Sequence, residues 1–331
     1  MFKKYLPVIL AIILYVLIYF IRLNQGGWEP QIDLFKDFRT DLDKKIASSL
    51  PSPQAELLSG ILLGQNKNLP GQFKLALRDT STLHIVVASG QNLSMVAAFF
   101  LLLTGLIKRQ LAITLSFIAI ISYTFLTGVQ VPILRAALMV SAGFIAQVNG
   151  REKESIWVVI VVGALMLLIN PSWITSLSFQ LSFLATLGVV GVSPILIEKL
   201  KFLPQFIRTD LAVSLAAQAL VLPVIAQNFH QISLVALPTN IMVLWTIPLI
   251  MIGGAILLVV SFIQPLALLV ALSLNVMLTY FIYIVQFFSS LSWSWIYIGE
   301  QIWIVWIGYY LIILAILMVF QKKNPEVPNM V

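Results

Sequence analysis

The chain has 331 residues, of which 60% are hydrophobic and only 10% charged. Soluble domains carry roughly 25% charged residues, so a water-soluble fold is excluded and the membrane spans become the first question. The net charge of +7 fits Lys and Arg gathered in cytoplasmic loops. The absence of cysteine excludes disulfides, thiol catalysis and thiolate metal sites, and two histidines, His84 and His230, cannot make a three-histidine zinc centre.

A span needs about 20 apolar residues to cross about 30 Å of hydrocarbon. The first predicted span, Leu6–Ile21, follows Lys3-Lys4 without a small-residue cleavage site, which reads as a retained anchor over residues 1–21. Residues 22–80 hold eight basic and seven acidic residues and form an extracytoplasmic segment. Its apolar residues Ile32, Phe35, Phe38, Leu42 and Ile46 recur helically, predicting an amphipathic helix on the membrane or on the channel body. Pro51-Ser52-Pro53 ends that helix. Ser52 is the expected N-cap, and Pro53 the first residue, of a second helix running to Gly64.

A polytopic domain follows over residues 81–321, with a cytoplasmic tail over 322–331. Its predicted spans are Leu83–Ile107, Leu111–Thr127, Val131–Val148, Ile156–Ile169, Trp173–Val192, Leu211–Gln227, Leu237–Phe262, Leu266–Phe288 and Ile302–Phe320. The expected fold class is an all-α polytopic integral membrane protein with about ten transmembrane or re-entrant helices. Trp173–Val192, with its serines and glutamine, suits a re-entrant helix as well as a crossing one. Alternate crossing from a cytoplasmic N-terminus puts Lys3, Lys4, Lys108, Arg109, Arg151, Lys153, Lys199, Lys201, Arg208, Lys322 and Lys323 on the cytoplasmic side. The short outer loops receive no Lys or Arg, a positive-inside pattern with both termini cytoplasmic.

No Asp or Glu falls inside a predicted span, which counts against an ion-coupled transporter. Arg135 is the exception among ionisable groups, about one turn into its span. It reads either as an interfacial anchor or as a fixed positive charge facing a polar path. His84 lies at the start of the second span, followed by Ser89, Gly90, Gln91 and Asn92, a polar run that is costly in hydrocarbon unless it meets protein or water. Gly90 allows a helix break there. Gln180 joins this outer half, and Ser178 and Ser182, one turn apart, line the same cavity or simply allow close helix packing. The expectation is an outward-opening vestibule, polar and poor in charge. Ser89-Gly90 faintly resembles an intramembrane serine protease nucleophile, but His84 is about 140° round the helix from Ser89. No carboxylate pair, phosphate loop or metal-ligand spacing is present, so catalytic residues, cofactor and metal are all expected to be none.

Five stretches, in order, resemble the membrane channel domain of the ComEC-type competence proteins. They are Leu62-Leu63-Gly64-Gln65-Asn66; Leu83 to Asn92; Leu126-Thr127-Gly128 with Pro132 to Met139; Asn170-Pro171 with Ser178 to Ala185; and Leu222-Pro223 with Phe229 to Ser233, Pro238 and Asn240. The likeness covers roughly residues 55–290. Gln91-Asn92 departs from the family's commoner Leu-His, and the OB-like and metallo-β-lactamase-like domains of longer members are not recognisable here. The resemblance implies a channel for single-stranded DNA across the bacterial cytoplasmic membrane in natural transformation, without an enzymatic centre. It implies as partners the lipid bilayer, a cytoplasmic helicase or strand-binding protein, an outer DNA receptor and a separate nuclease, and it leaves room for a homodimer. The rival readings are a transporter of another anionic or lipid-linked solute and a membrane scaffold of an uptake machine.

Overall fold

The computed structural model describes residues 2–25, 33–65, 68–86, 90–105, 107–129, 131–148 and 155–323. The helices among them are α1 (Phe2–Gln25), α2 (Lys36–Ser49), α3 (Gln54–Leu63), α4 (Gly71–Asp79), α5 (Leu83–Val86), α6 (Gly90–Leu102), α7 (Arg109–Leu126), α8 (Val131–Val148), α9 (Ser155–Ile169), α10 (Leu177–Leu187), α11 (Ser193–Lys199), α12 (Gln205–Phe229), α13 (Ala236–Leu244), α14 (Thr246–Val260), α15 (Gln264–Ser289) and α16 (Trp303–Lys323). Four are long and apolar enough to cross a membrane: α7, α12, α15 and the continuous Leu177–Lys199 helix made by α10, a π-turn at Gly188–Val192 and α11. The bent pair α13 and α14, broken by 43°, makes a fifth, and shorter apolar helices make up most of the rest. The protein is therefore an all-but-wholly helical membrane protein.

The all-α expectation misses one element. β1 (Gln231–Ser233) pairs antiparallel with β2 (Trp295–Tyr297), with Gln231 opposite Tyr297 and Ser233 opposite Trp295. α12 stops at His230, which takes a left-handed conformation (φ 55°), and the His230 carbonyl then accepts from the Ile298 amide at 2.9 Å. Three-residue strands leave too short an alternation to be read from sequence.

The largest hydrophobic cluster is built around α3. From Leu57 to Leu63 that helix is buried on every side, as a mainly apolar helix has to be. Leu57, Leu58, Ile61 and Leu63 are fully buried against α14 and α15. Gly254 of α14 leaves room for this contact: a Cβ there would stand 2.7 Å from Leu58 Cδ1. The Ile61 carbonyl lies in the last turn of α3, where helix carbonyls lack internal partners. Asn92 Nδ2 of α6 (2.9 Å) and the Tyr123 hydroxyl of α7 (3.3 Å) donate to it. Helices α2, α3 and α4 thus pack into the same core as α13–α15 and do not stand apart from it.

The local expectations hold unevenly. α2 covers the predicted amphipathic helix, with Ile46 buried, Leu42 half-buried and Phe35 and Phe38 exposed; Ile32 lies outside the described residues. Ser52 does not cap α3. Pro53 occupies the N-cap position without a side-chain hydrogen bond, and α3 begins at Gln54. The helix predicted from Trp173 begins at Leu177 instead, because Asn170 and Pro171 set a 3₁₀ turn over Pro171–Thr175 and Ser176 caps the next helix at the Phe179 amide (3.3 Å). Within α12, Pro223 cannot donate to the Ala219 carbonyl. The Tyr309 hydroxyl of α16 donates to that carbonyl at 3.0 Å, and the Tyr310 hydroxyl donates to Leu220 at 2.8 Å.

Candidate functional site

Arg135 sits one turn into α8, which opens on Val131-Pro132; proline near a helix start costs no hydrogen bond. Two other helices, α6 and α10, converge on its guanidinium. Gly90 opens α6, and the place a Cβ would take there is 2.8 Å from Arg135 Nη2 and 3.1 Å from Ala136 Cβ. Only glycine leaves the guanidinium that room. Across from it, Nη1 donates to the Ser182 carbonyl of α10 (2.9 Å) and to the Thr186 hydroxyl. Thr186 Oγ1 in turn donates to the same Ser182 carbonyl at 2.9 Å. The Phe183 ring faces Cζ at 5.9 Å, within reach of a cation–π contact.

Among the described residues no acid compensates the charge on this side chain. The ion pairs among the described residues, Arg39–Asp33, Lys44–Asp41, Arg78–Asp79 and Lys201–Glu198, all lie elsewhere. Arg135 is 9% exposed, and its buried Nε has no hydrogen-bond partner. A buried guanidinium with two neutral acceptors and an unused donor holds its charge at a cost, which reaches on the order of 3 kcal/mol at a helix centre and is smaller near a helix end. Its planar fork of five N–H groups matches a phosphate or carboxylate, and an arriving anion would relieve the cost.

The structure brings together part of the sequence-predicted set. Gly90, Arg135 and Ser182 meet directly, Ser182 through its carbonyl and not its hydroxyl. Gln91 is exposed beside Gly90, and Ser89 lies outside the described residues, as do Arg151 and Lys153. His84 is exposed on α5, with Nδ1 2.8 Å from the Ser81 carbonyl. Asn92 is 1% exposed and turned toward α3, so its amide serves a core contact and not the surface of a path. Gln180 Nε2 donates to the Ile174 carbonyl at 3.0 Å, closing the turn before α10, and Ser178 is exposed. Thr186 and Phe183 were not singled out from sequence. The signal for Thr186 was available: Ser178, Ser182 and Thr186 recur every four residues, one polar row on one face of an apolar helix.

The family model described as Competence protein matches residues 61–323. The ComE operon protein 3 of Bacillus subtilis (strain 168) is 28% identical over 204 residues, 59% of this chain and 25% of that protein. An uncharacterized protein of Aquifex aeolicus (strain VF5) is 32% identical over 133 residues, 40% of this chain and 32% of that protein. The uncharacterized protein YcaI of Escherichia coli (strain K12) is 26% identical over 251 residues, 67% of this chain and 31% of that protein. The chain therefore spans about a quarter to a third of the length of these relatives. No solved structure matches it. Because the family match takes in Gly90, Arg135 and Ser182 and well over half of the sequence, this chain belongs to the Competence protein family.

Proposed function

We propose that the chain is the membrane channel unit of a DNA-uptake machine, passing single-stranded DNA across the bacterial cytoplasmic membrane. The observation that carries this reading is Arg135: an uncompensated guanidinium, one unused donor included, beside a helix start kept open by Gly90. One lone cation attracts a phosphate backbone without trapping it, as conduction requires. Membership of the Competence protein family supports a polyanion, DNA, as the ligand that the geometry alone does not name.

In this reading ten apolar segments, crossing or re-entrant, are set between cytoplasmic termini, and residues 22–80 lie outside. Gly90, Gln91, Arg135, Ser182 and Thr186 line or gate the entrance, with His84, Ser89, Ser178 and Gln180 around it. The chain performs no covalent chemistry and needs no cofactor. Its driving force comes from a cytoplasmic helicase or strand-binding partner, strands arrive from an outer receptor, and a separate nuclease prepares them. The test is labelled-DNA uptake in the native organism, with surface-bound and internalised DNA scored separately. Deleting the gene is expected to abolish internalisation and leave surface binding intact. Unchanged internalisation, with no second copy of the gene, would sink the reading.

The same unpaired guanidinium also suits a smaller anionic or lipid-linked solute. That second reading predicts normal DNA uptake in the deletion strain and an anion-dependent rise in the melting temperature of the purified protein, lost in Arg135→Ala.

A further inference from the structure

α2 marks a water boundary. Its 14 residues hold Lys36, Arg39, Lys44 and Lys45 with Asp37, Asp41 and Asp43, a composition that hydrocarbon does not accept. Leu34, Phe35 and Phe38 are exposed beside these charges, as on a helix resting at a lipid surface.

Two distant parts of the chain touch this helix. Arg39 Nη1 donates to the Leu126 carbonyl, the last of α7, at 3.0 Å. The Lys45 ammonium lies 4.4 Å from the centre of the Phe262 ring, in the turn between α14 and α15. The two contacts start from residues about 9 Å apart along α2. α7 begins at Lys108-Arg109, so the positive-inside rule puts its Leu126 end outside. α2 and the Phe262 turn are then outside as well.

The other end of the α13–α15 hairpin is fixed independently. β1 precedes α13 and β2 follows α15, so the paired strands close the hairpin's base. They follow α12, whose start is flanked by Lys199, Lys201 and Arg208, which puts the ribbon outside too. Gln231 Nε2 of the ribbon lies 3.4 Å from Asp79 Oδ1, at the end of α4. Between base and tip, Gln54 Nε2 donates to Thr279 Oγ1 at 3.0 Å, and Leu58 and Leu62 pack on Gly254. Those α3 residues neighbour Ile61, which is tied to Asn92 and Tyr123 near the same ends of α6 and α7.

We infer that α13, α14 and α15 do not cross the bilayer. They form a hairpin lodged in the outer leaflet, and its uncovered residues Leu249, Ile252, Ile256, Val259, Leu268 and Leu272 contact lipid acyl chains of that leaflet. α15 is long and apolar enough to cross, but it lies along the segment 36–80 from tip to base. The crossings that remain are α1, α6, α7, α8, α9, the α10–α11 helix, α12 and α16. The loop charges are silent on the point, since Ser261 to Gln264 carries none and removing two crossings preserves the sidedness of every basic cluster.

The inference rests on the orientation proposed above, and the test separates the two. The chain has no cysteine, so single cysteines report cleanly. A short glycine-serine loop bearing one cysteine is inserted after Ile263 in the full-length protein, long enough to clear the lipid. Its labelling by a membrane-impermeant maleimide is compared, in intact and permeabilised cells, with Ser172→Cys before α10 and Lys201→Cys before α12. The inserted cysteine is expected to label on the Ser172 side. Labelling on the Lys201 side would overturn the hairpin and restore two crossings. An inverted orientation would instead exchange the two reference positions and leave the inserted cysteine with Ser172.

Discussion

Two arginines are buried to nearly the same depth, Arg39 at 7% exposure and Arg135 at 9%, yet their surroundings differ in kind. Arg39 has an acid, Asp33 Oδ2 at 2.5 Å, and closes the C-terminus of α7 through the Leu126 carbonyl, where a helix end favours a cation. Gly128 (φ 78°) brings the chain past it, with 3.2 Å between Arg39 Nη1 and the place a Cβ would take. Arg135 has no acid among the described residues; it borrows a carbonyl already used by Thr186. The first arginine has the partners that a fastening needs. Both leave the guanidinium Nε without a hydrogen-bond partner, so what the second keeps in reserve is its charge, and a reserve of charge inside an apolar body is what a ligand-facing group requires.

The largest effect should follow from removing that reserve. Arg135→Ala is expected to cut DNA internalisation at least about tenfold, since a charge-assisted hydrogen bond is worth about 1.5–3 kcal/mol and each 1.4 kcal/mol is tenfold. The folded protein should remain in the membrane, because no acid is left unpaired. Arg135→Lys should restore only part of the uptake, keeping charge without the planar fork. If uptake per folded molecule is unchanged in Arg135→Ala, the contrast between the two arginines is wrong. Arg39→Ala should show the reverse pattern. It should destabilise the protein by about 2 kcal/mol in a melting experiment, with uptake per folded molecule unchanged. The cost stays below that of a wholly buried pair because the Asp33 side chain is 38% exposed and can recover water. Gly90→Ala comes next. The new methyl meets the movable end of Arg135, which must shift, and also stands 3.1 Å from the Ala136 Cβ, which can give only with α8, so a cost of about 1 kcal/mol is expected in uptake together with a smaller loss of stability.

Much of this was legible in the sequence, for identifiable reasons. Composition and the apolar runs set the helical membrane class, because the bilayer leaves the backbone few other choices. Arg135 and Gly90 stood out because a lone charge and a glycine in a polar run are costly where they occur. Asn92 stood out on the same ground but turned out to satisfy the last turn of α3, a tertiary contact over 31 residues that no local pattern encodes. Hydropathy gave α15 as a crossing span, and its length and apolarity allow one; the hairpin inferred above rests on Lys45 against Phe262, a contact of which the sequence holds no sign. Sidedness read from charge depends on charges in the loops, and the α14–α15 turn has none.

The smallest effect tests the structural half of the comparison at a third place. Pro223 strips the Ala219 carbonyl of its helical donor, and Tyr309 replaces the donor from α16. Hydrogen bonds between helices in a membrane average about 0.6 kcal/mol, so Tyr309→Phe should lower stability by roughly that amount, with uptake unaffected. Pro223→Ala returns an N–H to the Ala219 carbonyl, which should make the tyrosine hydroxyl largely redundant. In the Pro223→Ala background, Tyr309→Phe should therefore cost clearly less than in the parent, measured by melting the four proteins of the cycle in one lipid. Equal costs in both backgrounds would mean that the hydroxyl does not answer the proline. A satisfied polar contact in this membrane body would then be no sure sign of a fastening, and Arg39 would have to be judged by its mutant alone.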